Sequence, residues 1–350
     1  MRFGLGVPTG TEGLMYPVPY ADARQAVELA VAAERLGFES VWGNDHVSTQ
    51  RYVREEFAEP PRYYDPFSYL SFVAARTSTI RLATAVMVLP FRHPVVAAKQ
   101  VATLDQLSGG RAVLGVGIGA YREEFEAMSP DRSLHRGRYA EEAIGALRVL
   151  LTERRASVDG KWLRFTDVES YPKPVQTPLP ILSGGNAAGS RSRAARLGDG
   201  WLPACLTPGE VAAGLADIRL TAERAGRPLP AGFEVALQVG VSVAATRAQA
   251  WEKFRRSQLH AHLLSLSRTT LRDQGTADLA DRNLVGTPAE VAERIAEYRE
   301  AGVDTLAGLL FAADTVPETL DAMVEFSETV IRPSSAGLAG SARVGEVTRV

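Results

Sequence analysis

The chain has a single cysteine, Cys205, in 350 residues. One thiol can close no intramolecular disulfide and cannot build a thiolate zinc cluster. Lysine is nearly as scarce: Lys99, Lys161, Lys173 and Lys253 are the only four, all on helix-patterned or hairpin-patterned segments. An excess of either charge is also missing, since 39 Lys and Arg face 41 Asp and Glu, a net of −2. With no positive field to hold a phosphate backbone, nucleic acid is not an expected partner. No stretch reaches the roughly 18 apolar residues that a membrane span needs. Met1-Arg2-Phe3-Gly4-Leu5-Gly6 leads straight into a strand pattern rather than a signal-peptide apolar region, so a cytoplasmic protein without a membrane partner is expected.

What is present is ample material for a core: 45% of the residues are hydrophobic and 23% charged, which rules out disorder, collagen and coiled coil. The length allows two ordinary domains or one large α/β barrel. Eight short runs rich in Val, Ile, Leu and Phe decide between them: 3–7, 39–43, 80–88, 112–118, 179–183, 200–204, 233–243 and 304–311. Most are apolar throughout, as strands buried on both faces should be. Helical periodicity fills the gaps. Ala26, Leu29, Ala33 and Leu36 repeat at helical spacing and stop at Gly37, a residue suited to a helix C-terminus. Thr287-Pro288 opens a helix whose Val291, Ile295 and Tyr298 share one face and which Gly302 ends. Strands alternating with helices in this way predict an α/β fold, a (β/α)8 TIM barrel spanning 1–331, whose chemistry sits on loops at the C-terminal strand ends. Insertions are expected after strands two (44–65), four (120–136) and seven (264–286), a hairpin outside the barrel at Val158–Trp162, and a loose C-terminal tail at 332–350.

Several barrel chemistries fail at these strand ends. A Schiff-base aldolase needs a lysine in the mouth, and none is there. A glycosidase needs two carboxylates facing one bond, and strands four and seven supply none. A metal hydrolase needs clustered ligands, and His260 and His262 would point to different sides of a helix; no metal is expected. What remains is Asn44-Asp45-His46 at the end of strand two. A histidine there can serve as acid, base or hydrogen-bond donor, with the neighbouring carboxylate to orient it; the plainer alternative is a structural histidine capped by Asp45. His93, before Pro94 at the start of a helix, is read as a packing or capping residue. Gly115-Val116-Gly117-Ile118-Gly119 ends strand four, where missing side chains would let a flat ligand approach the backbone, or would merely fit a crowded wall. It is no dinucleotide fingerprint, because no helix opens at the required spacing. Ser183-Gly184-Gly185-Asn186 ends strand five and opens a helix, whose free N–H groups suit a phosphate.

Taken together, these segments resemble the bacterial luciferase-like flavin-dependent oxidoreductase family over about 1–331. The resemblance is carried by Leu36-Gly37-Phe38-Glu39-Ser40-Val41-Trp42 with Asp45-His46, Arg92-His93-Pro94-Val95, Leu104-Asp105-Gln106-Leu107-Ser108-Gly109-Gly110-Arg111, the strand-four glycines, Pro172-Lys173-Pro174, Ser183-Gly184-Gly185, Ala194 to Trp201, and Gly286-Thr287-Pro288. It implies a reduced flavin across the barrel mouth, its ring against strands two to four and contacting Thr84, Ala85, Val86, Met87, Gly117 and Gly119. The phosphate would lie near Ser183, Gly184, Gly185 and Asn186. It also implies a non-proline cis peptide within Thr84–Met87. In the monooxygenase branch, reduced FMN from a separate flavin reductase meets O2, and a histidine matching His46 acts on the oxygenated intermediate, with Asp45 orienting it or closing the pocket. In the F420 branch a hydride passes without O2, and the same histidine is acid or base. The F420 sugar-phosphate dehydrogenases have an acid where this chain has Ala120, which argues against that particular activity. A third possibility is a non-catalytic flavin-binding protein. Relatives often form homodimers through barrel helices. The insertion after strand two carries Tyr52, Phe57, Tyr63 and Tyr64 with Arg51, Arg54 and Arg62, so a small, partly apolar organic substrate is expected, with an acidic one allowed for.

Overall fold

The eight apolar runs form a closed parallel barrel. The computed structural model describes residues 1–128, 134–267 and 278–333. Its strands are β1 (Arg2–Val7), β2 (Ser40–Gly43), β3 (Arg81–Thr84), β4 (Met87–Val88), β5 (Ala112–Gly117), β6 (Ala156–Asp159), β7 (Arg164–Val168), β8 (Ile181–Gly184), β9 (Gly200–Leu202), β10 (Glu234–Val243), β11 (Leu284–Gly286) and β12 (Thr305–Phe311). The barrel order is β10, β12, β1, β2, β3, β5, β8, β9, and it closes where Glu234 and Val235 of β10 pair with Gly200 and Trp201 of β9. The helices are α1 (Ala23–Arg35), α2 (Arg51–Glu56), α3 (Pro66–Ala74), α4 (Pro94–Ser108), α5 (Arg122–Met128), α6 (Arg136–Thr152), α7 (Ala188–Leu197), α8 (Pro208–Arg224), α9 (Arg247–Arg256), α10 (Gln258–Ser267), α11 (Pro288–Glu300) and α12 (Val316–Phe326).

Local signals place the helix ends. Asp22 and Gln25 form a reciprocal cap on α1, and Thr287 and Glu290 form one on α11, so orphan N–H groups at both starts find side-chain acceptors. Gly37 (φ 87°) and Gly302 (φ 95°) stop these helices in a left-handed conformation that a side chain would resist. The core has two parts: a large one between strands and helices, and an inner one of Trp42, Ala83, Val113, Leu182, Leu202, Ala236 and Ala307 that fills the barrel. Trp42 fits because Gly4 faces it; a Cβ there would lie 2.4 Å from its Nε1. At the N-terminal end, Glu234 accepts from Arg81 through both carboxylate oxygens (3.1 and 3.0 Å) and from Thr305 (2.6 Å), and pairs with Arg2 (3.0 Å). Burial works against its charge, but Arg81 and the other donors hold the carboxyl below the ordinary glutamate range. This network ties four strands together at the closed end and leaves the other end to the insertions.

Two differences from expectation bear on the site. The third run, expected as one strand over 80–88, is split into β3 and β4. Leu82 pairs with Ala112 but Met87 with Val116, so the ladder with β5 resumes one residue out of step; the cis Ala85–Val86 peptide lies in that gap, within the expected Thr84–Met87 segment. The stretch after strand seven is not all loop: β11 pairs with the last residues of β10, a strand too short to show a period. The hairpin outside the barrel is β6 and β7. Much of the third insertion, and the tail from residue 334, lie outside the described residues.

Candidate active site

His46 lies three residues beyond β2 and is held by an acid the sequence did not single out. Its Nδ1 lies 3.1 and 3.3 Å from the two carboxylate oxygens of Glu124, on α5 in the insertion after β5. Glu124 is buried, and it also accepts from the Val47 N–H at 2.9 Å. The ring rests on Gly10, where a Cβ would come within 2.7 Å of Cδ2. With Nδ1–H donating to the carboxylate, Nε2 is left as the nitrogen able to accept or deliver a proton, and the carboxylate can stabilise the imidazolium.

Asp45, expected to orient His46 or close the pocket, makes no bond to it. Its carboxylate is held by both terminal nitrogens of Arg92, with Nη2 to Oδ1 at 2.9 Å, and by the Val88 N–H at 2.9 Å. Arg92 also reaches Asp65 at 3.1 Å. Adjacent residues at a strand end point their side chains in opposite directions, so Asp45 faces the β4 end while His46 faces α5. Asp45 thereby ties the end of β2 to the irregular third strand. His93 caps α4, as expected.

The glycines serve the third strand. A Cβ on Gly115 would lie 2.1 Å from the Thr84 carbonyl oxygen, and Cβ atoms on Gly117 and Gly184 would lie 2.4 and 2.5 Å from Val86 methyl carbons. The plainer alternative therefore holds at these positions: the missing side chains make room for Val86, not for open space. Thr84 donates to the Gly115 carbonyl (2.7 Å), and Ala85 and Met87 are buried, so of Thr84–Met87 only Val86 is partly exposed. Gly119 (φ 74°) makes a turn against Phe125. At α7, the Ser183 hydroxyl donates to the Ser190 carbonyl (3.0 Å), and the Asn186 amide bonds the Ala204 N–H and C=O at 2.9 and 2.8 Å. These side chains shape the turn rather than face a ligand. What they leave open is the start of α7, which has no side-chain cap, and Arg193 one turn on. Arg193 is buried, bonds Ser190 Oγ at 3.1 Å, and has no carboxylate within ion-pair distance among the described residues. Burial pushes its guanidinium below the usual arginine range. First-turn N–H groups with a neighbouring guanidinium are a donor set that fits a phosphate.

The insertions after β2 and β5 and helix α10 come together around His46. Tyr63 and Tyr121 lie 5.5 and 5.6 Å from it between ring centroids, and Tyr52 lies 6.3 Å from Tyr121. Tyr63 donates to Gln50 (2.8 Å), whose amide nitrogen is 3.4 Å from His46 Nδ1. His262, on α10, is buried, with Nδ1 3.3 Å from the Tyr52 hydroxyl. Burial, reinforced by His46, pushes its imidazole down to about 4, and burial pushes the Tyr52, Tyr63 and Tyr121 hydroxyls up. As expected, the two α10 imidazoles diverge: His260 packs edge-on against Trp251 and Phe254. Arg51, Arg54 and Arg62 are exposed, and Tyr64 bonds the Ala21 carbonyl at 3.3 Å, so the insertion brings Tyr52 and Tyr63 to the site but not its arginines. Glu124, Tyr121, Arg193 and His262 were missed. Only Glu123-Glu124, twin acids in an insertion at a catalytic strand end, carried a local signal that could have been read.

The model of the luciferase-like monooxygenase family matches residues 1–305. An FMNH2-dependent dimethylsulfone monooxygenase of Pseudomonas putida is 29% identical over 311 residues, covering 83% of this chain and 84% of that protein. An F420-dependent glucose-6-phosphate dehydrogenase of Segniliparus rotundus is 30% identical over 305 residues, covering 81% and 87%. Among solved structures, a monooxygenase from Streptomyces bottropensis has a TM-score of 0.75 and 25% identity, covering 95% of this chain and 100% of that one.

Proposed function

Because the chain belongs to the luciferase-like monooxygenase family, we propose that it is the oxygenating component of a two-component system, using reduced FMN from a separate reductase and O2 on a small organic substrate. The observation that carries this reading is the His46–Glu124 pair at the β2 end, with an uncapped, arginine-flanked helix start across the mouth. The first N–H groups of α7 and Arg193 would hold the phosphate, and Val86, seated on Gly117 and Gly184, would be the apolar surface beneath the ring. Reduced FMN would supply the two electrons for oxygen activation. His46 would hold or move a proton at Nε2 while Glu124 fixes its tautomer, and Tyr63 and Tyr121 would limit water around it. Asp45 acts at one remove, through Arg92.

The second reading, hydride transfer with F420, is favoured by the extent of the match to the Segniliparus dehydrogenase. The same His46 nitrogen would then take or give the substrate's hydroxyl proton. Ala120, where sugar-phosphate dehydrogenases carry an acid, weighs against that substrate. Anaerobic titration with reduced FMN and, in parallel, with F420, followed by air, separates the two. Reduced FMN is expected to bind and to consume O2 on exposure; binding and O2-independent turnover with F420 alone would overturn the oxygenase reading.

A homodimer through the outer helices belongs to the same proposal, since α3 and α4 leave Phe72, Val96 and Leu107 exposed. Sedimentation velocity at micromolar concentration is expected to show a dimer, and a lone monomer boundary would remove this part.

A further inference from the structure

Gln50 begins a helix without capping it. It is the residue before α2 and is fully buried, yet its side chain makes no capping bond; the first N–H of α2, from Arg51, donates instead to Glu123 on α5 at 3.1 Å. The Gln50 amide is turned toward His46. Its Oε1 accepts from the Tyr63 hydroxyl at 2.8 Å, and its Nε2 lies 3.3 Å from the Ser48 carbonyl oxygen and 3.4 Å from His46 Nδ1. A carbonyl only accepts, so Ser48 fixes the amide nitrogen on its own side and leaves the oxygen to Tyr63. The atom that Gln50 presents to His46 is therefore a donor.

Nδ1 thus stands between opposite partners. The Glu124 carboxylate, at 3.1 and 3.3 Å, can only accept from it, and the Gln50 amide nitrogen can only donate to it. A hydrogen on Nδ1 serves Glu124; a lone pair there serves Gln50. The carboxylate bond is the shorter and is charge-assisted, about twice as strong as a neutral one, so Nδ1–H is the major form and the amide supports the minor one. We infer that Gln50 is a positioning residue of this site, holding a donor against Nδ1 in opposition to Glu124 so that both neutral tautomers of His46 have a partner. The inference rests on reading His46 as the reacting centre. Its consequence there is a ring that passes a proton on rather than only storing it. When a proton is bonded at Nε2, the Nδ1 hydrogen can leave for a Glu124 oxygen, and the electron pair left on Nδ1 meets the Gln50 N–H. Tyr63 and Ser48 keep that N–H aimed while the hydrogen is elsewhere.

The test needs no ligand. In the full chain labelled at its histidine nitrogens, His46 is the one of five histidines whose ring signals vanish in H46N, and its two nitrogen NMR shifts at alkaline pH give the tautomer ratio of the neutral ring. Wild type is expected to populate both forms, with Nδ1–H the larger. Q50M removes the donor and should move the ratio about five- to tenfold toward Nδ1–H, the effect of one neutral hydrogen bond. Q50E keeps the length and an acceptor for Tyr63 but has no donor, so it should move the ratio the same way; a contact that served shape alone would leave it unchanged. Y63F keeps the donor but releases its clamp, and a smaller change in the same direction is expected, which also serves if Q50M and Q50E do not fold by near-ultraviolet circular dichroism. An unchanged ratio in the folded variants, or a move toward Nε2–H, would overturn the inference. The two ways of failing are separable. An unresponsive ratio with H46N inactive removes Gln50 alone, whereas a responsive ratio with H46N at the wild-type rate removes His46 as the reacting centre and leaves Gln50 a structural contact.

Discussion

H46N is expected to lower turnover by about 10²–10⁴-fold, the range for loss of a positioned general acid or base, with cofactor affinity close to that of the wild type. The ring lies on Gly10 and against Glu124 rather than in the main core, and asparagine is smaller, so the fold should tolerate the change. E124Q should act on the same step without removing the reacting nitrogen. Its amide can present either a carbonyl or an NH2 to Nδ1, so the tautomer is no longer imposed, and the charge that would stabilise the imidazolium is gone. A loss of about tenfold or more in kcat, with a displaced pH profile and an unchanged KM, would identify Glu124 as the positioning residue. Substrate-dependent O2 uptake, or F420 reduction under the second reading, provides the rate. Wild-type turnover in H46N would take the chemistry away from this strand end, and no turnover in any form of the protein would favour a silent flavin-binding protein.

Acid sensitivity is the second large effect. His262 takes up a proton near 6.5 when unfolded but only near pH 4 in the folded chain, because burial and His46 disfavour its charge. Between these values the unfolded chain binds more protons, so its stabilising contribution is complete above about pH 6.5 and is lost as pH falls toward 4, by about 3 kcal/mol in all. Urea midpoints measured from pH 7 to pH 4 should therefore decline in the wild type, and the decline should be shallower in H262Q. Glu234 acts lower on the scale: its folded value lies below the ordinary glutamate range, so its contribution is present above that range and fails only as pH drops beneath it. Parallel slopes for wild type and H262Q between pH 6.5 and 4 would show that the imidazole is not held neutral in the fold.

Much of the architecture was legible because it is written in short-range patterns. Each of the eight apolar runs became a barrel strand, and the turn glycines and capping pairs fell where the helices start and stop. The third strand departs from its pattern because an apolar run does not reveal a one-residue slip, which depends on what β5 offers opposite. Gly115, Gly117 and Gly184 are informative in hindsight: they mark a close approach, but only the packed neighbours reveal that Val86 and Thr84 fill it.

The site was legible to a lesser degree. His46 could be singled out because it follows a strand end, where a barrel puts its chemistry. Its partner could not. The adjacent Asp45 was the natural choice, yet Glu124, 78 positions away, makes the bond, because neighbouring side chains on an extended segment diverge while an insertion after another strand can fold back over the mouth. His262 is 210 positions from the tyrosine it touches. The sequence by itself determined the barrel, the end at which the chemistry sits, and His46 as the histidine placed there, since strand period, caps and strand-end position are local properties. Which acid holds His46, which way Asp45 turns, and which α10 imidazole meets Tyr52 were decided only in the tertiary structure, where the insertions after two strands and helix α10, distant along the chain, close on one point.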